Sequence, residues 1–116
     1  MMEACVAVPI PEFFSDQQRR HIVQQAGLDS WIGHGSNTYG FQPTNDTAIT
    51  QRWVEQPPVL HADTTRITFT SGTSGAPKGV CLDNAALLTV TESLATVVAP
   101  LNIRRHLALL PLSTLL

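Results

Sequence analysis

Apolar and polar positions recur along the chain with different periods, and the period assigns each stretch to an element. Cys5-Val6-Ala7-Val8 is a short β-prone run, ended by Pro9 and Pro11. From Ser15 the spacing turns helical, with Gln18, Ile22 and Ala26 on one face and Val23 beside them. Ser15 is a good N-cap, Asp16 suits the positive end of the helix dipole, and Gly27 can close the helix as its C′ residue. Trp31-Ile32 is a brief second strand, so the first third reads as strand, helix, strand. That order suits a βαβ-type unit whose helix covers a parallel sheet.

Gly33 through Thr65 is the least regular part. It carries turn formers at Gly35, Asn37, Gly40, Pro43, Asn45, Pro57 and Pro58, and one plausible strand, Ala48 to Val54. A connection of this length is unusual in a compact domain unless it is functional or contacts something absent. Regular patterning returns at Arg66-Ile67-Thr68-Phe69-Thr70, which alternates polar and apolar as a half-buried strand does. A Gly/Ser/Thr loop follows from Ser71 to Gly79, then a short strand at Val80-Cys81-Leu82. Asp83 or Asn84 caps a helix whose Leu87, Val90, Leu94 and Val97 keep helical spacing until Pro100 stops it. His106 to Leu110 reads as another strand, and Pro111 is placed to open a further helix.

Composition changes this picture in one respect. Hydrophobic residues make up 43% of the 116 positions, a globular value, but only 14% are charged. Ordinary soluble domains carry roughly 25%. A small free-standing domain needs those charges on its large surface, so the expectation is a piece of a larger body. The uncapped apolar end at Leu115-Leu116 carries the same expectation. A net charge of −2 with a single lysine argues against a nucleic-acid footprint, which needs clustered cations. No uninterrupted apolar run, Leu107 to Leu112 among them, approaches the roughly 20 residues that span a bilayer. Cys5 and Cys81 sit in apolar segments without metal spacing, as free thiols do in a reducing cytoplasm.

The stretch that carries chemistry is Ile67-Thr68-Phe69-Thr70-Ser71-Gly72-Thr73-Ser74-Gly75-Ala76-Pro77-Lys78-Gly79-Val80. Glycines let the backbone turn its N–H groups inward to form an anion-binding nest. Hydroxyls at Thr70, Ser71, Thr73 and Ser74 can donate to phosphate oxygens, and Lys78 supplies the cation a polyphosphate requires. A Walker A loop fails here. Counting from Gly72, Pro77 takes the place of its second glycine and Gly79 that of its hydroxyl. The segment after Lys78 also reads as a strand, where that loop requires a helix.

Thr70 to Val80 resembles the phosphate-binding signature of the adenylate-forming superfamily, Thr-Ser-Gly-Thr-Thr/Ser-Gly-x-Pro-Lys-Gly-Val, and matches it at every position. The segments Gly79-Val-Cys-Leu with Asp83-Asn84, and Arg104-Arg105-His106-Leu-Ala-Leu-Leu-Pro-Leu, look like bacterial fatty-acid–CoA ligases. The resemblance implies an α/β fold. The chain would be part of an N-terminal adenylation domain, incomplete, with a mostly parallel sheet flanked by helices, the loop at 70–79 and no C-terminal domain. It implies a loop that grips the β- and γ-phosphates of ATP while a carboxylate attacks the α-phosphate. Acyl-adenylate and pyrophosphate result, and coenzyme A takes the acyl group. Thr70, Ser71, Gly72, Thr73, Ser74, Gly75 and Lys78 are then the nucleotide-contacting positions, with no catalytic or metal-ligating residue in this segment. ATP, magnesium and coenzyme A are the implied small molecules, and the magnesium and coenzyme A sites fall outside the segment. The other expected partners are a carboxylic acid and the remainder of the parent enzyme, in the cytoplasm.

The family's Tyr-Gly-x-Thr-Glu segment comes after the phosphate loop. Tyr39-Gly40-Phe41-Gln42-Pro43-Thr44 precedes it and lacks the Glu, so it is not an equivalent. Ser15 and Asp16 are read as helix capping, Trp31 and Trp53 as packing, and Arg104-Arg105 as a solvated corner. His61-Ala-Asp63 is too common a pattern to argue a site. The competing reading is a non-catalytic remnant, or a weak phosphate-binding or interaction module without turnover of its own.

Overall fold

The computed structural model describes residues 5–33, 39–45, 49–70, 75–105 and 107. Helix α1 (Asp16–Gln25) forms where the pattern places it. The Gln18 N–H donates to Ser15 Oγ at 3.3 Å and the Ser15 N–H donates to Gln18 Oε1 at 2.9 Å. Two orphan amides of the first turn are thus satisfied reciprocally. At the other end Gly27 takes φ +57°. The N–H groups of Leu28 and Gly27 then bond back to the carbonyls of Val23 and Gln24, each at 3.2 Å. This closure needs left-handed backbone, which glycine adopts without cost from a side chain. A Cβ at Gly27 would also run into Pro58 Cδ.

Three short strands follow: β1 (Ser30–Ile32), β2 (Gln42–Pro43) and β3 (Ile49–Gln51). They form a sheet in the order β1-β3-β2, antiparallel at both pairings, with Trp31 opposite Thr50 and Pro43 opposite Thr50 on the other side. The strand expected over Ala48–Val54 is therefore shorter. Past it, Arg52 turns its side chain onto the end of α1, where Nε donates to the Leu28 carbonyl at 2.6 Å and Nη2 to the Val23 carbonyl at 2.8 Å. A cation on the last carbonyls of a helix is favourable against its dipole.

The second sheet is a hairpin of β4 (Thr64–Thr70) and β5 (Lys78–Asp83). Its strands are antiparallel, with Ile67 opposite Cys81, Phe69 opposite Gly79 and Thr70 opposite Lys78. The mostly parallel sheet is thus corrected: among the described residues both sheets are antiparallel. The one parallel contact is a bridge from Ala7 to Arg66, in which the Ala7 N–H donates to Thr65 at 3.0 Å and the Ile67 N–H to Ala7 at 2.9 Å. The reason is the length of connection. Parallel neighbours need a crossover of a dozen or more residues, and the segment 71–77 is too short for one. What stands is a mix of helices and small antiparallel sheets.

Helix α1 divides the core in two. Its Ile22 packs with Phe14, Ile67 and Phe69, joined by Val6, Val8, Ile10, Ala26 and Leu60. Its Val23 packs with Tyr39 and Phe41, joined by Ile10, Leu28 and Trp31. Helix α2 (Asn84–Val98) is different. Asp83 caps it, accepting the Ala86 N–H at 2.7 Å, and a 3-10 turn at Ala99–Leu101 ends it at Pro100, as the spacing predicts. None of its residues is buried, and Leu88, Val90, Leu94 and Val97 are all exposed. Its hydroxyls serve the helix itself: Thr89, Thr91, Ser93 and Thr96 donate to the carbonyls of Ala85, Leu87, Thr89 and Glu92. The stretch Asn84–Leu101, 18 residues with a mean hydropathy of 1.3, is by length and composition long and apolar enough to cross a membrane. Core helices of soluble proteins pass the same test. Counting uninterrupted apolar runs passes over this stretch because those hydroxyls and Glu92 break it up.

Candidate functional site

The alternation of β4 and the glycine-rich composition after it bring the candidate loop to the end of a hairpin. Thr70 is the last residue of β4, Lys78 the first of β5, and the two are cross-strand partners. Thr70 Oγ1 donates to the Lys78 carbonyl at 3.5 Å, so the base of the loop is closed by both backbone and side chain. Both residues are exposed. Of the other candidate positions, Ser71, Gly72, Thr73 and Ser74 lie outside the described residues. Gly75 takes φ +85°, and a Cβ there would meet nothing within 4 Å. Glycine is required at this point by backbone conformation, with space to spare. The structure thus brings together Thr70 and Lys78, with Gly75 three residues before the lysine.

Because successive side chains of a strand point to opposite faces, the register sorts the hairpin into two. Ile67, Phe69, Gly79 and Cys81 share one face, and Ile67 and Phe69 on it pack against Phe14 and Ile22. Thr68, Thr70, Lys78 and Val80 share the other. Thr68 is 5% exposed and its Oγ1 has no hydrogen-bond partner. A buried hydroxyl left in this way is costly, and it lies on the face of Thr70 and Lys78.

The end of the loop also faces α1. Gly75, Ala76 and Pro77 form one wall of a cleft of about 460 Å³, and Ser15, Gln17, Gln18 and His21 form the other. Pro77 is buried. Among the described residues no Asp or Glu side chain lines this cleft. The α1 wall, Pro77 and Gly79 were not singled out from the sequence. The Pro-Lys-Gly tail of the motif carried a signal for the last two. Nothing in the chain signals His21, whose approach to the loop exists only after folding.

Ser15 is a cap, and Asp16 stands in the first turn with Tyr39 Oη at 3.4 Å from its Oδ1. Trp31 packs, its ring 5.1 Å from Tyr39 and 5.8 Å from Phe41 between centroids. Trp53 does not pack: it is 88% exposed, because the strand expected to hold it ends at Gln51. His61 and Asp63 approach to 4.0 Å in full solvent, where such pairs contribute little. Cys5 and Cys81 are exposed thiols, and Arg104 and Arg105 are exposed. Among the described residues no group of three His, Cys, Asp or Glu could hold a metal ion. The expected strand at His106–Leu110 and the helix after Pro111 lie outside the described residues, Leu107 apart. Comparison with family models, with curated proteins and with solved structures finds no match to the chain.

Proposed function

We propose that this chain is part of the N-terminal domain of an ATP-dependent acyl-CoA synthetase, in which residues 70–79 grip the ATP phosphates. One observation carries the proposal: Lys78 opens a strand paired to Thr70. A Walker A lysine stands at the start of a helix, so the strand–loop–strand arrangement removes the main competing phosphate loop. It agrees with the resemblance of Thr70–Val80 to the adenylate-forming signature. Lys78 provides the charge for the β- and γ-phosphates, Thr70 a hydroxyl at the loop's base, and Gly75 a turn that only glycine makes freely. In the reaction the carboxylate oxygen attacks the α-phosphorus, the bond to the β-phosphate oxygen breaks, and pyrophosphate leaves. A thiol then displaces AMP from the acyl-adenylate.

The residues present do not fit magnesium. The described loop residues and the cleft beside them offer no carboxylate, so no step here runs through a metal. A narrower role for the chain by itself is to hold phosphate without turnover. Acceleration needs groups stabilising the charge that develops in the transition state, and one lysine does not supply them. If a longer reading frame carries this segment, fatty-acid-dependent ATP–pyrophosphate exchange is expected from its product, and none from the 116 residues alone. Absence of exchange from the longer protein with every carboxylic acid supplied would overturn the proposal.

A further inference from the structure

We infer that Phe69 is a positioning residue for Lys78, acting through Gly79. The inference rests on the phosphate-binding reading and names what sets the lysine's place. Phe69 and Gly79 are cross-strand partners on the core face of the hairpin. A Cβ at Gly79 would lie 3.0 Å from Phe69 Cζ, 3.3 Å from Phe69 Cε1 and 3.0 Å from Ile67 Cγ2. Phe69 and Ile67 are each 4% exposed and locked against Phe14 and Ile22. A packed core yields little to an added atom. The ring therefore occupies the space a side chain at 79 would take, and β5 lies down on it one residue beyond the lysine.

Pro77, on the other side, is buried. Lys78 is thus an exposed residue between two anchored ones, and its backbone is fixed opposite Thr70. Its flexible stem is the only freedom left to the ammonium. An alanine at 79 makes ring or strand give by a few tenths of an ångström, and the strand carries Lys78 with it. Glycine at 79 thus has a steric cause that the loop's own conformational needs do not supply.

The test is an amide NMR titration of the full chain with inorganic tripolyphosphate, alongside thermal unfolding. The proteins are the parent, Gly79→Ala, Phe69→Leu, the double variant and Lys78→Ala. Gly79→Ala is expected to weaken binding about tenfold, as small misplacements of a binding group do. Phe69→Leu is expected to lower the unfolding temperature and to weaken binding about threefold, because leucine covers the face but leaves the space under Gly79 partly empty. The double variant, with the ring atoms removed and only Ile67 Cγ2 left 3.0 Å from the added Cβ, is expected to bind more tightly than Gly79→Ala. A purely structural role predicts the opposite order, with affinity falling in step with stability and lowest in the double variant. That order overturns the inference, as does parent-like binding by Gly79→Ala. If Gly79→Ala fails to fold, the double variant decides. Loss of binding in Lys78→Ala alone sinks only this inference. Equal binding by Lys78→Ala and the parent, or no binding by the parent, sinks the phosphate-loop reading as well.

Discussion

Lys78→Ala is expected to weaken ATP binding by about ten- to a hundredfold, the usual worth of hydrogen bonds from a charged donor, about 1.5–3 kcal/mol. The fold should be unaffected. Lys78 is exposed, and the hydrogen bond it receives from Thr70 goes to its backbone carbonyl, which alanine keeps. The charge lost is also the single lysine of a chain with net charge −2, so no neighbouring lysine can replace it. Circular dichroism and unfolding should match the parent while the ATP titration does not. Unchanged affinity would make Lys78 an ordinary solvated lysine.

Phe41→Ala is expected to remove about 3–5 kcal/mol of stability, the cost of deleting a buried aromatic side chain. Small domains have only about 5–15 kcal/mol in all. Phe41 is 1% exposed, touches Trp31, and lies under the Arg52 guanidinium at 5.2 Å from the ring centre. Its loss empties the cluster with Val23 and Tyr39 and frees the arginine that ties β3 to the end of α1. Urea unfolding followed by tryptophan fluorescence measures the loss. Trp53→Ala is the control, at 88% exposure expected to change stability by less than about 0.5 kcal/mol. A loss below about 1 kcal/mol in Phe41→Ala would mean that this cluster is not a core.

How much the sequence discloses depends on the range of the interaction. Both helices were legible, because Ser15 with Gln18, Gly27, Asp83 and Pro100 act within a turn of where they stand. The hairpin strands were legible from the alternation at Arg66–Thr70 and the apolar run at Val80–Leu82, but Lys78 and Gly79, expected in the loop, belong to β5. Strand direction was not. It depends on which partner β1 finds, and Trp31 meets Thr50 only through a segment rich in turn formers. Nor was the burial of Tyr39 and Phe41, read as a motif fragment and rejected, then found at the centre of a core cluster.

The site divides in the same way. Thr70, Gly75 and Lys78 carry their own signal, since residue type and spacing state the chemistry directly. Gly79 carries a signal whose cause was hidden, because the Phe69 ring reaches it across the hairpin. Pro77 and His21 came together only in the folded chain. Helix α2 is the reverse case: its apolar spacing was plain, but no described residue buries it. In the proposed enzyme the rest of the domain would cover that helix.

The most direct test is an amide NMR titration of the chain with ATP and, separately, AMP at equal concentration. A loop that grips the β- and γ-phosphates predicts that ATP shifts the Gly75 and Lys78 amides and that AMP leaves both in place. Equal responses to ATP and AMP at these amides, or a response to ATP only elsewhere in the chain, would contradict it.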